Sequence, residues 1–296
     1  MADTKKHWSD EDTAVHDAPT DEPTDLVTPE ATEIDVAARP MPVIVDRLSK
    51  IFHEESRGVV RAVDGVSFEC REGEIFGLLG ANGAGKTTTL RMLSTLLKPS
   101  GGRAMVVGHD VERYPEKVRA DLGFFSASTA LHPRLTARET LRLFAEVNGA
   151  PSDDLPRWVE YLIERFGIRE FADARIDRLS TGMKQRVSIA RVMAHDPSLL
   201  IFDEPTVGLD VLAALELRQV IDELRADGKT ILFSTHILHE AETLCNRIAI
   251  IHRGRILTCE SLEALRELTG KRYLEDIFLD ILRQAGESSG VDPRAL

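Results

Sequence analysis

The stretch GANGAGKT, residues 80–87, places Gly80 and Gly85 on either side of four residues and continues with Lys86 and Thr87. This spacing is that of a phosphate-binding loop, in which glycines let backbone N–H groups curl around phosphate oxygens. The apolar run IFGLL precedes the loop, and the helical pattern KTTTLRML overlaps its end. A strand, a glycine-rich loop and a helix in this order predict an α/β fold that binds a nucleotide.

The side chains of this loop have distinct expected tasks. Lys86 supplies a positive charge to the β and γ phosphates, and the Thr87 hydroxyl is suited to Mg²⁺. A glycine-rich turn without a ligand is the plain alternative, but the flanking strand and helix favour a nucleotide. The candidate nucleotide-binding residues of this stretch are Gly80, Asn82, Gly83, Gly85, Lys86, Thr87 and Thr88.

Two carboxylates follow a second apolar run, LLIFDEP, residues 199–205. Asp203, at the end of an expected buried strand, would hold Mg²⁺ through water at the site that Thr87 also contacts, and Glu204 could take the proton of an attacking water. His236 follows a third run, TILFST, where it could sense the γ phosphate or position water. Surface acids and a structural histidine are the alternatives. The neighbouring phosphate loop favours Glu204 and His236 as catalytic residues.

Composition separates a tail from a folded domain. Residues 1–40 hold eleven Asp and Glu, three Lys and Arg and four Pro, so we expect a disordered acidic tail. That segment accounts for most of the net charge of −12, and nothing in the rest resembles the basic face of a nucleic-acid binder. No apolar run reaches membrane-spanning length, and the N-terminus lacks a signal peptide core. Three scattered cysteines, Cys70, Cys245 and Cys259, are expected to be packing residues of a cytosolic protein.

The domain itself divides by its periodicity. Short β-rich runs from Val43 to Cys70 predict antiparallel strands, and residues 136–178 carry helical patterns with almost no strand signal. RIAIIHRGRIL predicts a hairpin, and residues 262–284 predict one amphipathic helix. The expected boundaries are a domain at residues 41–285, a helical insertion at about residues 127–195, and a disordered tail at residues 286–296.

The stretch LSTGMKQR, beginning at Leu179, resembles the signature motif of the ABC ATPases, usually written LSGGQ. The resemblance covers about residues 43–285. Its motifs follow in the family's order: the phosphate loop at 80–87, the signature at 179–183, LLIFDE at 199–204, the D-loop VGLD at 207–210 and the switch STH at 234–236. It implies a RecA-like P-loop NTPase core with an antiparallel β subdomain and a helical insertion.

The resemblance also implies how the signature works. In this family two copies pack head to tail, and each ATP lies between one copy's phosphate loop and the other's signature. Ser180, Thr181 and Gly182 would then bind the γ phosphate of the partner's ATP, and Asp210 of the D-loop is a further candidate nucleotide-binding residue. Thr181 replaces a usual glycine and Met183 a usual glutamine. Phe52 matches the aromatic residue that stacks on adenine, although a core aromatic would look the same.

One departure concerns metal binding. Alignment on LHPRLTARETL puts Ala127 where the family has the Q-loop glutamine that touches Mg²⁺. Water or the hydroxyls of Ser126 and Ser128 would have to substitute, or the link to the helical insertion is made differently. Two further stretches, RGVVRAVDGVSF and STGMKQRVSIAR, look like the sodium-extrusion branch of bacterial ABC ATPases, the NatA-like proteins.

The expected function is therefore the ATP-binding and ATP-hydrolysing subunit of an ABC exporter. It would use ATP and Mg²⁺ and act as a homodimer, or as a pair with another ATPase subunit, beneath separate polytopic membrane permease subunits on the cytoplasmic face of the cell membrane. The alternative is a soluble ABC ATPase with a regulatory role in translation or cofactor assembly. A phosphate-loop kinase or GTPase would not need a signature motif.

Overall fold

The computed structural model describes residues 41–54, 58–126, 129–150 and 154–289. The predicted acidic tail at residues 1–40 lies outside these residues, and so does Ala127. The helices in the described residues are α1 Lys86–Leu93, α2 Pro115–Ala120, α3 Ala137–Val147, α4 Leu155–Arg165, α5 Thr181–Val192, α6 Val211–Ala226, α7 Leu238–Leu244, α8 Leu262–Thr269 and α9 Leu274–Ser289.

The strands of the described residues form two sheets. They are β1 Val43–Glu54, β2 Gly58–Cys70, β3 Ile75–Leu79, β4 Gly101–Val106, β5 His109–Asp110, β6 Leu122–Ser126, β7 Leu199–Asp203, β8 Thr230–Thr235, β9 Arg247–His252 and β10 Arg255–Ser261. One sheet has the order β10-β9-β3-β8-β7-β6, and the other has the order β2-β1-β4-β5.

The six-stranded sheet positions the candidate site. Its strands are parallel except β10, which pairs antiparallel with β9 as the predicted hairpin. Every residue of β3, β7 and β8 is buried, in agreement with their apolar sequences. Leu79 pairs with Thr235, and Asp203 pairs with Ser234, so the carboxyl ends of β3, β8 and β7 lie together. Ligands of open parallel sheets bind at this edge.

The four-stranded sheet is antiparallel throughout, as its β-rich sequence predicts. Its inner face shares a buried hydrophobic cluster with β3, β7 and helix α1. Phe68 of β2 stacks on Phe76 of β3 with ring centroids 5.1 Å apart, which joins the two sheets. The predicted combination of an antiparallel subdomain and a parallel core is therefore present.

Helices fill the chain between β6 and β7, and no strand occurs among the described residues of that segment. Thr136 and Glu139 form a reciprocal capping box that begins α3. Trp158 of α4 donates from Nε1 to the Ala194 carbonyl at 2.7 Å, which joins α4 to the end of α5. These helices correspond to the predicted helical insertion.

The C-terminal helix differs from its prediction in two ways. The single helix expected over residues 262–284 is wrong, because Gly270 ends α8 in the left-handed conformation with φ 64°, and α9 starts afresh at Leu274. Helix α9 also continues to Ser289, so the predicted start of a disordered tail at residue 286 falls inside the helix.

Candidate functional site

Close contacts with neighbouring strands require glycine at positions 80 and 85 of the phosphate loop. An added Cβ on Gly80, directly after β3, would lie 2.3 Å from the Ile251 carbonyl oxygen. Gly85 precedes α1 with φ 109°, and an added Cβ there would lie 2.6 Å from the Ala62 carbonyl oxygen. The loop is thus held between β9 and β2, which fixes its backbone path. Asn82 and Gly83 lie on its exposed part.

Lys86 lies at the first position of α1 and is almost fully buried, with 4% of its surface exposed. Its Nζ donates to the Gly80 carbonyl at 2.8 Å and to the Ala81 carbonyl at 3.1 Å. The same ammonium lies 3.0 Å from Glu204 Oε1. A single buried cation therefore joins the phosphate loop to the acidic residue after β7, at the amino end of a helix that itself favours anions.

Asp203 accepts two hydroxyl hydrogen bonds on one oxygen. Thr87 Oγ1 donates to its Oδ1 at 3.1 Å, and Ser234 Oγ donates to the same oxygen at 2.8 Å. Burial raises the pKa of Asp203, and the two hydroxyls oppose this increase only in part. Ser234 Oγ also accepts the Glu204 N–H at 3.1 Å, so this hydroxyl fixes both acidic residues.

Glu204 follows β7 in the left-handed conformation, with φ 46°. Such a conformation costs about 1–3 kcal/mol in a residue other than glycine and is concentrated at functional sites. The His236 Nδ1 atom lies 3.4 Å from Glu204 Oε1, the oxygen that also contacts Lys86. Burial raises the pKa of Glu204, but the contacts with Lys86 and His236 outweigh burial and leave the pKa lowered. The carboxylate is therefore charged at neutral pH.

The residues Thr87 and Asp203 offer the oxygen ligands that Mg²⁺ prefers, a hydroxyl and a carboxylate. Among the described residues, no group of three or more His, Cys, Asp or Glu could hold a metal ion by itself. This donor set fits a magnesium ion that completes its coordination with phosphate oxygens and water. It does not fit zinc, which takes several nitrogen or sulfur ligands.

The signature residues begin helix α5. Ser180 is the N-cap, and its Oγ accepts the Met183 N–H at 3.3 Å. Ser180 and Thr181 are exposed, and an added Cβ on Gly182 would have no described atom within 4 Å. The positive end of α5 therefore faces open space. The hydrogen bonds described for Ser180 stay within its own helix, so the structure does not join the signature to the phosphate loop.

One hydrogen bond connects the signature helix to the core, and another caps the helix that follows the D-loop. Gln185 Nε2 of α5 donates to the Pro205 carbonyl at 2.9 Å, directly after Glu204. Asp210 is the N-cap of α6 and accepts the Ala213 N–H at 2.9 Å. Asp210 is thus exposed at the start of a helix, beside the turn that contains Gly208.

Phe52 lies in β1, paired with Val60 of β2, and its ring is half-buried. Lys50 Nζ lies 5.3 Å from the centroid of that ring. A ring that is partly exposed beside the antiparallel sheet is available to stack on another aromatic ring. Thr88, the last candidate of the phosphate loop, lies in the first turn of α1 and is half-buried.

The structure brings together Lys86, Thr87, Asp203, Glu204 and His236. Lys86 and His236 both contact Glu204, and Thr87 contacts Asp203. Sequence reasoning missed the part played by Ser234 and Gln185. Ser234 was visible in the switch motif STH, but only the pairing of β7 with β8 reveals that it faces Asp203.

The fold and this cluster define an ATP-binding cassette, and the chain belongs to the ABC transporter family. The family model described as ABC transporter matches residues 63–207. The chain is 40% identical over 230 residues to the ABC transporter ATP-binding protein NatA of Bacillus subtilis (strain 168), covering 77% of this chain and 94% of NatA. It is thus an ATP-binding subunit of an ABC transporter and an ATPase.

Two further similarities extend this assignment. The chain is 41% identical over 243 residues to the Nod factor export ATP-binding protein I of Paraburkholderia xenovorans (strain LB400), covering 82% of this chain and 76% of that protein. A dimeric ATP-binding cassette in a post-hydrolysis state bound to ADP and Pi superposes with a TM-score of 0.67 at 26% identity, covering 74% of this chain and 98% of that chain. The sequence-based family prediction, including the likeness to NatA, is confirmed.

The helices of the described residues do not meet the requirements of a membrane span. None is both long enough and apolar enough to cross a bilayer.

Proposed function

We propose that the protein hydrolyses ATP as a head-to-tail homodimer that drives an exporter through separate membrane subunits. The observation that carries this proposal is the signature helix. Gly182 has helical backbone and open space around it, so neither its φ angle nor the packing of the chain requires a glycine. Glycine in a helix is less stable than alanine by about 0.5–1 kcal/mol. The absence of a side chain is then explained by an external group that approaches closely.

The approaching group that fits is a phosphate bound by a second copy of the chain. The N-terminus of α5 carries free N–H groups and the exposed hydroxyls of Ser180 and Thr181. The phosphate loop of the partner would hold the same phosphate from the other side. Structural similarity to a dimeric cassette bound to ADP and Pi supports this arrangement. Asp210 and the D-loop would then lie between the two copies.

Within each site the residues have separate roles. Lys86 binds the β and γ phosphates, while Asn82, Gly83 and Thr88 contribute to the phosphate cradle and Phe52 stacks on adenine. Thr87 and Asp203 would hold Mg²⁺, which neutralises the charge of the phosphates. The roles of Asn82, Gly83 and Thr88 are proposed from their positions in the phosphate-loop motif.

Glu204 and His236 act on the attacking water. Glu204 is charged, fixed by the Ser234 hydroxyl at its backbone and 3.4 Å from His236 Nδ1. Its carboxylate accepts a hydrogen bond from the water and takes its proton as the water oxygen bonds to the γ phosphorus, while the bond from that phosphorus to the bridging oxygen breaks and ADP leaves. His236, which lies beside Glu204, orients the water or contacts the γ phosphate.

Replacing Glu204 with glutamine tests the base and the dimer together. Glu204→Gln keeps the size of the side chain but cannot take a proton, so it should bind ATP, stop hydrolysing it and accumulate as a closed dimer. Light scattering at saturating ATP and Mg²⁺ measures the mass. Glu146→Gln, an exposed change on α3, is the matched control and should remain active. A monomeric Glu204→Gln protein under these conditions contradicts the proposal.

The exporter role rests on the resemblance to the NatA-like branch and on the two curated relatives. The identities to NatA and to the Nod factor export protein are 40% and 41%, so sequence similarity does not select a cargo. Sodium extrusion is proposed from the NatA-like stretches alone. Co-purification from solubilised membranes should yield a polytopic partner, and the reconstituted complex should hydrolyse ATP faster when Na⁺ is added. Recovery of ribosomal partners alone would favour the translation alternative.

A further inference from the structure

His236, the histidine of the switch motif, lies between two residues whose positions depend on one buried hydroxyl, that of Thr235. Thr235 ends β8 with 2% of its surface exposed, and its Oγ1 donates to Glu240 Oε2 at 2.7 Å. The same oxygen accepts the Ile237 N–H at 2.9 Å. The residues before and after His236 are therefore fixed by a single side chain. A valine of the same shape would fill the space but make neither bond.

Thr235 also contacts the phosphate loop through its backbone. Its carbonyl oxygen accepts the Gly80 N–H at 3.3 Å. The hydroxyl faces away from this contact, towards helix α7. Loss of the hydroxyl would thus leave the link between Thr235 and the phosphate loop in place. It would release only the turn that carries His236.

Burying the Glu240 carboxylate costs free energy that an apolar residue at a purely structural position would not cost. Glu240 lies on α7 with 1% of its side chain exposed, and its other oxygen, Oε1, lies 3.5 Å from Arg218 Nη2 of α6. A buried ion pair gains little over a well-packed apolar pair, because both charges lose their hydration. An apolar residue of similar volume would avoid this loss of hydration. The charged acceptor is explained by the hydroxyl that it orients, since hydrogen bonds to ionised acceptors are the stronger ones.

We propose that Thr235, Glu240 and Arg218 are a positioning unit for His236. Arg218 holds the Glu240 carboxylate, Glu240 orients the Thr235 hydroxyl, and the hydroxyl fixes the Ile237 N–H. His236 Nδ1 is thereby held beside Glu204 Oε1. This inference rests on the proposed role of His236 at the γ phosphate.

The test compares two substitutions at Thr235 that separate hydrogen bonding from packing. Thr235→Val keeps the shape and removes the hydroxyl, so kcat should fall about tenfold because a misplaced catalytic group loses rate steeply. Thr235→Ser keeps the hydroxyl and should retain nearly the wild-type kcat. The KM for ATP should be unchanged in both, since the contact with Gly80 uses the backbone. A larger loss in Thr235→Ser than in Thr235→Val would overturn the proposal.

Each variant is then measured again in the His236→Ala background by single-turnover hydrolysis. If the hydroxyl acts only through His236, Thr235→Val should lower the rate there by less than about twofold, because coupled residues are not additive. The same factor in both backgrounds overturns the inference while leaving the proposed function intact. A His236→Ala protein with the wild-type rate contradicts the role of His236 itself, and the inference with it.

Two other buried residues, Thr230 and Glu74, serve as matched controls for this double-mutant comparison. Thr230 lies on the same strand with 2% of its surface exposed, and its hydroxyl accepts the Gly73 N–H at 3.0 Å. Thr230→Val should cost stability but show no coupling to His236→Ala. Glu240→Gln is the second variant if Thr235→Val does not fold, and it must show the same non-additivity. Glu74→Gln, a buried partner of Arg247, is its control and should be additive.

Discussion

Alanine in place of Gly80 would put a methyl group 2.3 Å from the Ile251 carbonyl oxygen and 3.2 Å from Ala84 Cβ. The first contact is with backbone of β9, which pairs with β3 directly before the loop, so no rotation of a side chain relieves it. Overpacking costs about 1–3 kcal/mol, and overlap with backbone puts this case at the upper limit. A domain of this size loses about 2–4 °C of melting temperature per kcal/mol, so Gly80→Ala should melt about 6–12 °C lower.

Gly182 is the matched control for that prediction. An added Cβ there meets no described atom within 4 Å, and alanine is the better residue in a helix by about 0.5–1 kcal/mol. Gly182→Ala should therefore melt at or slightly above the wild-type temperature. Differential scanning calorimetry of the two variants without nucleotide measures the contrast. Equal melting temperatures for Gly80→Ala and wild type, or a large decrease for Gly182→Ala, would refute the reasoning.

Three further predictions concern Mg²⁺ binding, stacking on adenine and the stability of the fold at low pH. Thr87→Ala removes one of two oxygen ligands, so hydrolysis should need more Mg²⁺ for half-maximal rate, and an unchanged Mg²⁺ titration contradicts the metal assignment. Phe52→Ala should raise the KM for ATP about tenfold through lost stacking, while Phe52→Trp should not, and equal KM values would exclude stacking. Burial lowers the pKa of His195 below 6.5, opposed in part by the Leu122 backbone. As the pH falls, His195 therefore takes up a proton at a higher pH in the unfolded chain than in the folded protein, so the free energy of unfolding should decrease below pH 6.5. Urea titrations should show that the free energy of unfolding of His195→Gln depends less on pH.

Local sequence patterns were sufficient where the physical cause is local. The helical patterns from residue 136 onward predict the helices that begin with α3, and the uninterrupted apolar runs identify β3, β7 and β8 as buried strands. The phosphate loop is a local motif of eight residues, and its position after β3 could be predicted from the sequence alone. The family followed from the order of several such motifs.

Patterns failed where a single residue overrides a periodic signal. The apolar spacing of residues 262–284 continues through Gly270, yet the left-handed conformation of that glycine ends the helix. Short elements were also missed, including α7, because seven residues carry little periodic signal. Its Glu240 consequently could not be connected with Thr235 from the sequence.

The contacts of the site depend on distant pairings. Ser234 is 31 residues from Asp203 in sequence, and the register of β7 against β8 brings them together. The left-handed conformation of Glu204 is likewise set by the tertiary structure, since its N–H bonds to Ser234 on the next strand. Residue types at the site could be predicted, whereas the hydrogen bonds that orient them required strand register.

The central claim, that each ATP is hydrolysed between one copy's phosphate loop and another copy's signature, is tested by mixing two inactive variants. Lys86→Ala removes the main cation of the phosphate loop. Gly182→Glu places a negative charge at the signature, in open space at a helix N-terminus, where an acidic residue does not destabilise the helix.

In a head-to-tail pair of these two variants, one site carries both defects and the other site is wild type. Random assortment makes half of the dimers mixed, so an equal mixture should recover about a quarter of the wild-type hydrolysis rate, as the symmetry of the dimer requires. Each variant alone should stay inactive. A mixture that remains as inactive as its components would contradict the account, because the signature would then act on the ATP of its own chain or on none.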